Sequence, residues 1–143
     1  MTTLRIVEYL DPRGRSPFAR WFEGLNAEAA AKITAAVYQL GAGNWGNTKG
    51  VGGGIFERKV DFGPGYRIYF GKEGESLVIL LGGSTKQRQQ QAIEVARDRW
   101  TDYRRRNTLG KGARWPSHVN SKRQSAQGLN ATPDSEKRSS LRP

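Results

Sequence analysis

The stretch from Ile55 to Ser84 constrains the fold more than any other part of the chain. It contains three runs rich in β-branched and aromatic residues, Phe56–Phe62, Tyr66–Phe70 and Leu77–Leu81. Short glycine-rich segments separate the runs, and glycine and proline provide the backbone geometry of tight turns. This spacing predicts three antiparallel strands. Because Leu77–Leu81 is apolar at every position, we expect both of its faces to be buried and this strand to lie at the centre of the sheet.

The segment before these strands predicts one strand and two helices. Leu4–Leu10 alternates apolar and charged residues and is broken by an Asp-Pro pair. Ser16 and Pro17 are typical of a helix start, and the aromatic residues after them recur at helical spacing. Asn26 is suited to cap a second, alanine-rich helix that ends at Gly41. The two helices form a hairpin, and we expect its apolar residues, including Trp21 and Phe22, to pack in the core.

The remaining segments predict a loop, a helix and a tail. Asn44–Gly54 is rich in glycine and lacks the phosphate-loop spacing, so we expect a mobile loop. Gln87–Arg104 has an apolar stripe at helical spacing, and Ser84 or Thr85 can cap this helix. From Asn107 to Pro143 the composition becomes polar and basic, with too few apolar residues to form a core, and this tail is expected to be disordered.

The order of elements is therefore β-α-α-β-β-β-α, which predicts a small α+β domain with a mostly antiparallel sheet. The domain is expected to span residues 1–106 and the tail residues 107–143. The count of Lys+Arg is 24 against 13 Asp+Glu, giving a net charge of +11 and a pI near 10.4. Such an excess of positive charge favours polyanionic partners such as RNA.

The composition excludes several kinds of site. The chain has no cysteine, and its one histidine is His118 in the predicted tail. Disulfides, zinc sites of the usual Cys/His type and histidine-centred catalytic triads are therefore excluded, and we expect no metal and no cofactor. No apolar run approaches the roughly 20 residues that span a bilayer, and the N-terminus does not have the pattern of a signal peptide. We therefore expect a cytoplasmic protein with no membrane partner.

The run F-E-R-K-V-D-F-G-P-G-Y-R-I-Y-F, the strand end I-L-L-G-G and the closing W-T-D-Y-R-R helix resemble the RelE/ParE superfamily of bacterial toxins. The resemblance is greatest to the HigB-like addiction-module killer proteins and covers about Leu4 to Arg106. It implies the toxin of a type II toxin–antitoxin system. Its RelE- and HigB-like members cut messenger RNA on the ribosome without a metal, and a cognate antitoxin, commonly a helix-turn-helix protein, inhibits them.

Two alternatives remain open from the sequence. ParE-like members of the superfamily share the fold but inhibit DNA gyrase, and they need no acid–base site. The chain is also compatible with a non-catalytic basic RNA-binding module or an inactive prophage toxin. The expected function is a metal-independent, ribosome-dependent endoribonuclease that arrests translation.

Metal-free RNA cleavage requires positive charge at the phosphate and groups that move protons to and from the ribose oxygens. Arg58 and Arg67 lie on neighbouring strands, and their planar guanidinium groups are suited to phosphate oxygens, so we expect them to converge on one phosphate. Arg58 interrupts an apolar row of its strand. It therefore requires a polar cleft on that face or a carboxylate partner, such as Glu57 or Asp61.

Five further residues complete the predicted site. Lys49 in the glycine-rich loop and Lys86 after the last strand are expected to assist at the phosphate, and either lysine can act as acid or base if burial lowers its pKa. The family often has paired lysines after this strand, whereas here the sequence is S-T-K-Q-R. The predicted substrate-binding residues are Tyr69, Lys59 and Arg88. Tyr69 is expected to contact a base, whereas Tyr66 is expected to pack in the core.

Overall fold

The computed structural model describes residues 3–109 and has an α+β architecture with a five-stranded mixed sheet and three helices. The strands are β1 (Arg5–Glu8), β2 (Thr48–Gly52), β3 (Ile55–Val60), β4 (Tyr66–Glu73) and β5 (Leu77–Thr85). The helices are α1 (Pro17–Glu23), α2 (Ala27–Gly41) and α3 (Gln89–Leu109), and a short 3₁₀ turn, Lys86–Arg88, precedes α3. The α+β class and the mostly antiparallel pairing agree with the prediction.

The sheet has the strand order β1-β5-β4-β3-β2. β1 pairs parallel with β5, and the other three pairs are antiparallel. The prediction that Leu77–Leu81 forms the central strand is wrong, because β4 is the middle strand. β5 is nevertheless an interior strand, and Val78–Leu81 is buried as its apolar sequence predicts. β1 pairs with the edge of β5 that faces away from β4.

The predicted mobile loop at residues 44–54 contains a strand that the sequence pattern did not reveal. Thr48–Gly52 forms β2 and pairs with β3, with Thr48 opposite Arg58 and Lys49 opposite Glu57. Glycine-rich sequence obscured the strand, because a five-residue strand with two glycines has no apolar alternation to detect. The register shifts between Gly50 and Gly52, which lie opposite the consecutive residues Phe56 and Ile55, so that Val51 is the extra residue of a bulge.

The helical hairpin of α1 and α2 covers one side of the sheet, which we call the hairpin face. Both predicted caps are present: the Ser16 Oγ accepts from the Ala19 N–H at 3.0 Å, and the Asn26 Oδ1 accepts from the Ala29 N–H at 2.8 Å. Ile33 and Leu40 of α2 belong to one hydrophobic core with Ile68 of β4. Tyr66 is buried in this core, and Trp21 and Phe22 pack against it, as predicted.

The N-terminal part of α3 lies against the opposite side of the sheet, which we call the α3 face. Trp100 packs directly on Gly71 of β4, where a β-carbon would lie only 2.4 Å from the indole ring. Glycine at position 71 of β4 therefore allows the helix to approach the sheet closely.

The predicted side-chain cap of α3 is not formed. Neither Ser84 nor Thr85 caps the turn before α3 through its side chain. The Ser84 hydroxyl instead donates to the Thr85 carbonyl at 2.9 Å.

The C-terminal end of α3 differs from the sequence prediction. The helix continues through Leu109, so residues 107–109 are helical and do not belong to a disordered tail. The rest of the predicted tail, 110–143, which includes His118, lies outside the described residues. Within residues 3–109, no helix is both long enough and apolar enough to cross a membrane.

Candidate functional site

Strand register brings most of the predicted site residues to the α3 face. In antiparallel pairs, residues directly opposite each other project to the same side of the sheet. Lys49, Glu57, Tyr69 and Gly82 form one row across β2, β3, β4 and β5. The neighbouring row contains Lys59 of β3, Arg67 of β4 and Ser84 of β5. Two adjacent rows therefore collect the polar side chains of four strands on one surface.

Arg58 does not belong to this surface, so the prediction that Arg58 and Arg67 converge on one phosphate is wrong. Arg58 lies opposite Ile68, and side chains alternate along each strand, which places Arg58 on the hairpin face and Arg67 on the α3 face. The guanidinium of Arg58 donates to the Gln39 Oε1 and, at 3.2 Å, to the Asn44 carbonyl. Burial lowers the pKa of Arg58.

The partners of Arg58 also differ from both sequence alternatives. The hydrogen bonds of its guanidinium go to uncharged oxygen acceptors rather than to a carboxylate. The nearby acidic residues are used elsewhere: Glu57 pairs with Arg67, and Asp61 lies 4.0 Å from the Lys59 ammonium. Arg58 thus links β3 to the end of α2 and the segment after it, which is a structural role on the hairpin face.

A buried ion pair occupies the centre of the α3 face. The Arg67 Nε lies 3.7 Å from the Glu57 Oε1, and the two side chains are 7% and 3% exposed. The Gln89 Nε2, from the first residue of α3, donates to the Glu57 Oε2 at 2.7 Å. Arg67 also donates from Nη1 to its neighbouring Tyr66 carbonyl at 3.2 Å. Glu57 therefore contacts both Arg67 of β4 and the first residue of α3.

Two hydroxyl groups lie beside this ion pair. The hydroxyl oxygens of Tyr69 and Ser84 are 3.2 Å apart, and both side chains are buried. Burial, reinforced by the charge of Glu57, raises the pKa of Tyr69 to about 12. Tyr69 is therefore an uncharged phenol at neutral pH. The residue is only 1% exposed, so its ring is not open for a base to stack on, and the expected contact of Tyr69 with a base stays a prediction.

Exposed lysines surround the buried centre. The Lys59 side chain is 49% exposed and lies in the row of Arg67. The Lys86 N–H donates to the Gly65 carbonyl at 2.9 Å, and Lys86 is exposed. A β-carbon placed on Gly65 would lie 3.3 Å from the Lys86 Cβ and 3.9 Å from the Arg67 Nη1. Lys86 and Arg67 therefore approach each other beside the turn between β3 and β4.

Lys49 is exposed at the far end of the row that contains Glu57. Because β2 is the edge strand, Lys49 lies two strands away from Arg67, with β3 between them, rather than on a loop above it. We call Lys59, Arg67 and Lys86 together the basic cluster. Among the residues that the structure describes, no group of three or more His, Cys, Asp or Glu side chains could hold a metal ion.

A cleft of about 230 Å³ opens between β5 and the N-terminal half of α3. Tyr69 and Ser84 line it, and so do Arg88, which is exposed, and Arg99. The Arg99 Nη1 donates to the Leu81 carbonyl at 2.9 Å. Leu81 lies at a β-bulge, because Tyr69 pairs with Gly82 whereas the next residue, Phe70, pairs with Leu80. A bulge redirects the backbone, and this one presents a carbonyl to α3.

Sequence reasoning missed four residues that shape this surface: Glu57, Ser84, Gln89 and Arg99. Glu57 was considered only as a partner of Arg58, although strand alternation places Glu57 and Lys59 on the side of the sheet away from Arg58. Counting alternation through both strands of the hairpin would have paired Glu57 with Tyr69 and identified the shared face. Nothing in the sequence indicated the contacts of Gln89 and Arg99, because these depend on where α3 crosses the sheet.

Comparison with known proteins gives a relative but no activity. No family model matches the chain. An uncharacterized protein of Haemophilus influenzae is 43% identical over 81 residues, which are 56% of this chain and 82% of the Haemophilus protein. An identity this high over most of the relative's length indicates a common fold. The chain therefore belongs to the same family as this uncharacterized Haemophilus protein.

Proposed function

We propose that this protein is the toxin of a type II toxin–antitoxin pair and acts as a metal-independent, ribosome-dependent endoribonuclease. The observation that carries the proposal is the basic cluster of Lys59, Arg67 and Lys86, which lies beside the Tyr69 and Ser84 hydroxyls in a chain with a net charge of +11. Clustered cations of this kind suit an RNA backbone. The resemblance of the F-E-R-K-V and G-Y-R-I-Y-F strands to RelE- and HigB-like toxins supports the same reaction.

In the proposed reaction the ribose 2′-oxygen attacks the adjacent phosphorus, and the bond between phosphorus and the 5′-oxygen breaks. One proton passes from the 2′-hydroxyl to solvent water, and a lysine ammonium gives another to the departing 5′-oxygen, so that a 2′,3′-cyclic phosphate and a free 5′-hydroxyl form. Positive charge is needed where the non-bridging oxygens become more negative. The Arg67 guanidinium forms an ion pair with Glu57 through its Nε side at 3.7 Å, and Lys59 and Lys86 are exposed nearby.

The proton donor in this proposal is one of the two exposed lysines. Tyr69 is protonated at neutral pH, but its ring is buried and its hydroxyl contacts Ser84. The ammonium groups of Lys59 and Lys86 face solvent and can reach a phosphate that lies on the surface. We assign Lys49 an auxiliary role in holding the RNA backbone, because it is exposed on the edge strand of the same face.

The proposed partners follow from the proposed function as a toxin. The substrate is messenger RNA in the ribosome of the bacterial cytoplasm, and a cognate antitoxin, expected to be a helix-turn-helix protein, inhibits the toxin. A gyrase inhibitor and a non-catalytic RNA-binding module are the competing functions. They differ from the proposed function in whether translated messages are cut.

The test is controlled expression in a bacterial host with message integrity followed by primer extension. We expect growth arrest and discrete cuts within translated frames. The Lys59→Ala/Lys86→Ala double variant should lose the cuts, and so should Arg67→Ala. The matched control is Arg20→Ala/Lys32→Ala, which removes two exposed charges from the helices on the hairpin face and should still cut.

The alternatives give different results in this experiment. Arrest with intact messages and altered plasmid supercoiling would contradict the proposal in favour of gyrase. The absence of arrest, with the protein folded and expressed, would favour a binding module. Equal loss of cleavage in the double variant and in its charge-matched control would show that total charge, rather than the basic cluster, supports the activity.

A further inference from the structure

The cleft between β5 and α3 has two glycines on its sheet side and three apolar residues on its helix side. Gly82 and Gly83 of β5 line it on the sheet side. Ala92, Val95 and Ala96 of α3 line the helix side, and Val95 is 41% exposed although it is a large apolar residue. The Arg99 guanidinium covers Gly82, since a β-carbon there would lie 2.6 Å from the Arg99 Nη1, and Arg99 therefore forms part of the lining of the cleft. An exposed valine in the cleft favours a ligand with an apolar surface over a bare anion.

Polar groups line the same cleft at its deep side. Tyr69 and Ser84 contribute hydroxyl groups, and their side chains are 1% and 7% exposed. Gln91 contributes an amide that can both donate and accept hydrogen bonds. Small-molecule sites are typically concave and mostly apolar, with a few fixed polar groups that orient the ligand. The groups in this cleft can therefore hydrogen-bond to the edge of a planar heterocycle.

The charged residues that line the cleft are both positive. Arg88 and Arg99 line it, and none of the described residues that line it is acidic. The Leu81 carbonyl holds one Nη of Arg99 at 2.9 Å, and burial lowers the pKa of Arg99. Arg88 is exposed at the start of the helix. A guanidinium can bind phosphate oxygens or lie flat on an aromatic ring, so both halves of a nucleotide have a complementary group here.

We infer that this cleft binds one nucleotide of single-stranded RNA, with its base between the Arg99 guanidinium and Val95 and its phosphate at Arg88. The volume of about 230 Å³ is below the roughly 300–1,000 Å³ of sites for drug-sized ligands, and it suits a single base. Arg67 and Ser84 are cross-strand neighbours, so the cleft adjoins the basic cluster. This inference rests on the proposed function and gives the basic cluster an adjacent base-binding subsite.

The test measures nucleotide binding by the full-length protein without ribosomes. Nucleoside 3′-monophosphates are titrated while amide chemical shifts are followed by NMR, and inorganic phosphate is the second probe. We expect the nucleotides to shift the resonances of Ser84 and Val95 and to bind at least tenfold more tightly than phosphate. Val95→Glu places a negative charge in the cleft at an exposed position and should weaken nucleotide binding at least tenfold.

The matched control is Ala35→Glu, which adds the same charge to an exposed position of α2 and should bind nucleotides normally. Arg88→Gln should weaken nucleotide binding several-fold. Phosphate binding as tight as nucleotide binding, or unchanged affinity in Val95→Glu, would overturn the inference. Nucleotide binding in the cleft without message cleavage would contradict the proposed function instead, and cleavage without nucleotide binding would contradict only the base-binding subsite.

Discussion

Arg58 and Arg67 are both buried arginines on paired strands, nine residues apart, yet they belong to different environments. Arg58 lies on the hairpin face and donates to the uncharged oxygens of Gln39 and Asn44. Arg67 lies on the α3 face, where Glu57 neutralises it and Lys59 and Lys86 are its neighbours. Residue type alone did not separate the two arginines. Their positions in the strand alternation did, because these decide which helices and which polar groups each side chain meets.

The first prediction compares the partners of the two arginines. Glu57→Ala should lower the free energy of unfolding by about 3 kcal/mol, because it leaves the buried Arg67 without its counter-charge. Gln39→Ala should cost about 1 kcal/mol, because Gln39 is exposed and water can replace its oxygen at Arg58. Urea unfolding followed by circular dichroism measures both values. Equal losses in the two variants would remove the distinction between a charge pair and a neutral hydrogen bond.

The comparison also shows how far the sequence alone could go. Apolar spacing predicted the helical hairpin and the three strands β3, β4 and β5, and residue type predicted the two helix caps, because each of these signals is local. It could not reveal β2, whose glycines remove the alternating pattern. The sequence also did not reveal that β1 pairs with β5, because pairing between distant segments leaves no local signal. The site was predicted at the level of its cations, whereas its carboxylate, Glu57, and its helix contact, Gln89, depend on tertiary placement.

The second prediction tests how tightly each face holds its helix. Gly71→Ala should lower stability by about 2 kcal/mol, because the new β-carbon would lie 2.4 Å from the buried Trp100 ring. Gly83→Ala meets Trp21 at 2.3 Å on the hairpin face. Trp21 is only partly buried and can move outward, so Gly83→Ala should cost less. Thermal and urea unfolding of both variants give the difference, and the reverse order would show that α3 is the more adaptable layer.

The third prediction exchanges each arginine for methionine, which keeps most of the apolar stem. Arg58→Met should change stability by less than about 1 kcal/mol, because it removes a buried charge that has no carboxylate partner. Cleavage of messages should persist in this variant. Arg67→Met should abolish cleavage, and it leaves Glu57 unpaired. Primer extension measures the effect on cleavage and urea unfolding measures the effect on stability. Loss of cleavage in a stable Arg58→Met protein would show that Arg58 takes part in the reaction.

The smallest expected effect concerns the exposed pair at the edge of the basic cluster. The Lys59 ammonium lies 4.0 Å from the Asp61 carboxylate, and the side chains are 49% and 73% exposed. Asp61→Asn should therefore change stability by less than about 0.5 kcal/mol. It frees Lys59 to contact phosphate, so binding of a single-stranded RNA oligonucleotide should strengthen and depend more steeply on salt. Glu23→Gln removes an equal charge from α1 and is the matched control. The same gain in both variants would mean that net charge, rather than the position of Lys59 on the α3 face, determines RNA affinity.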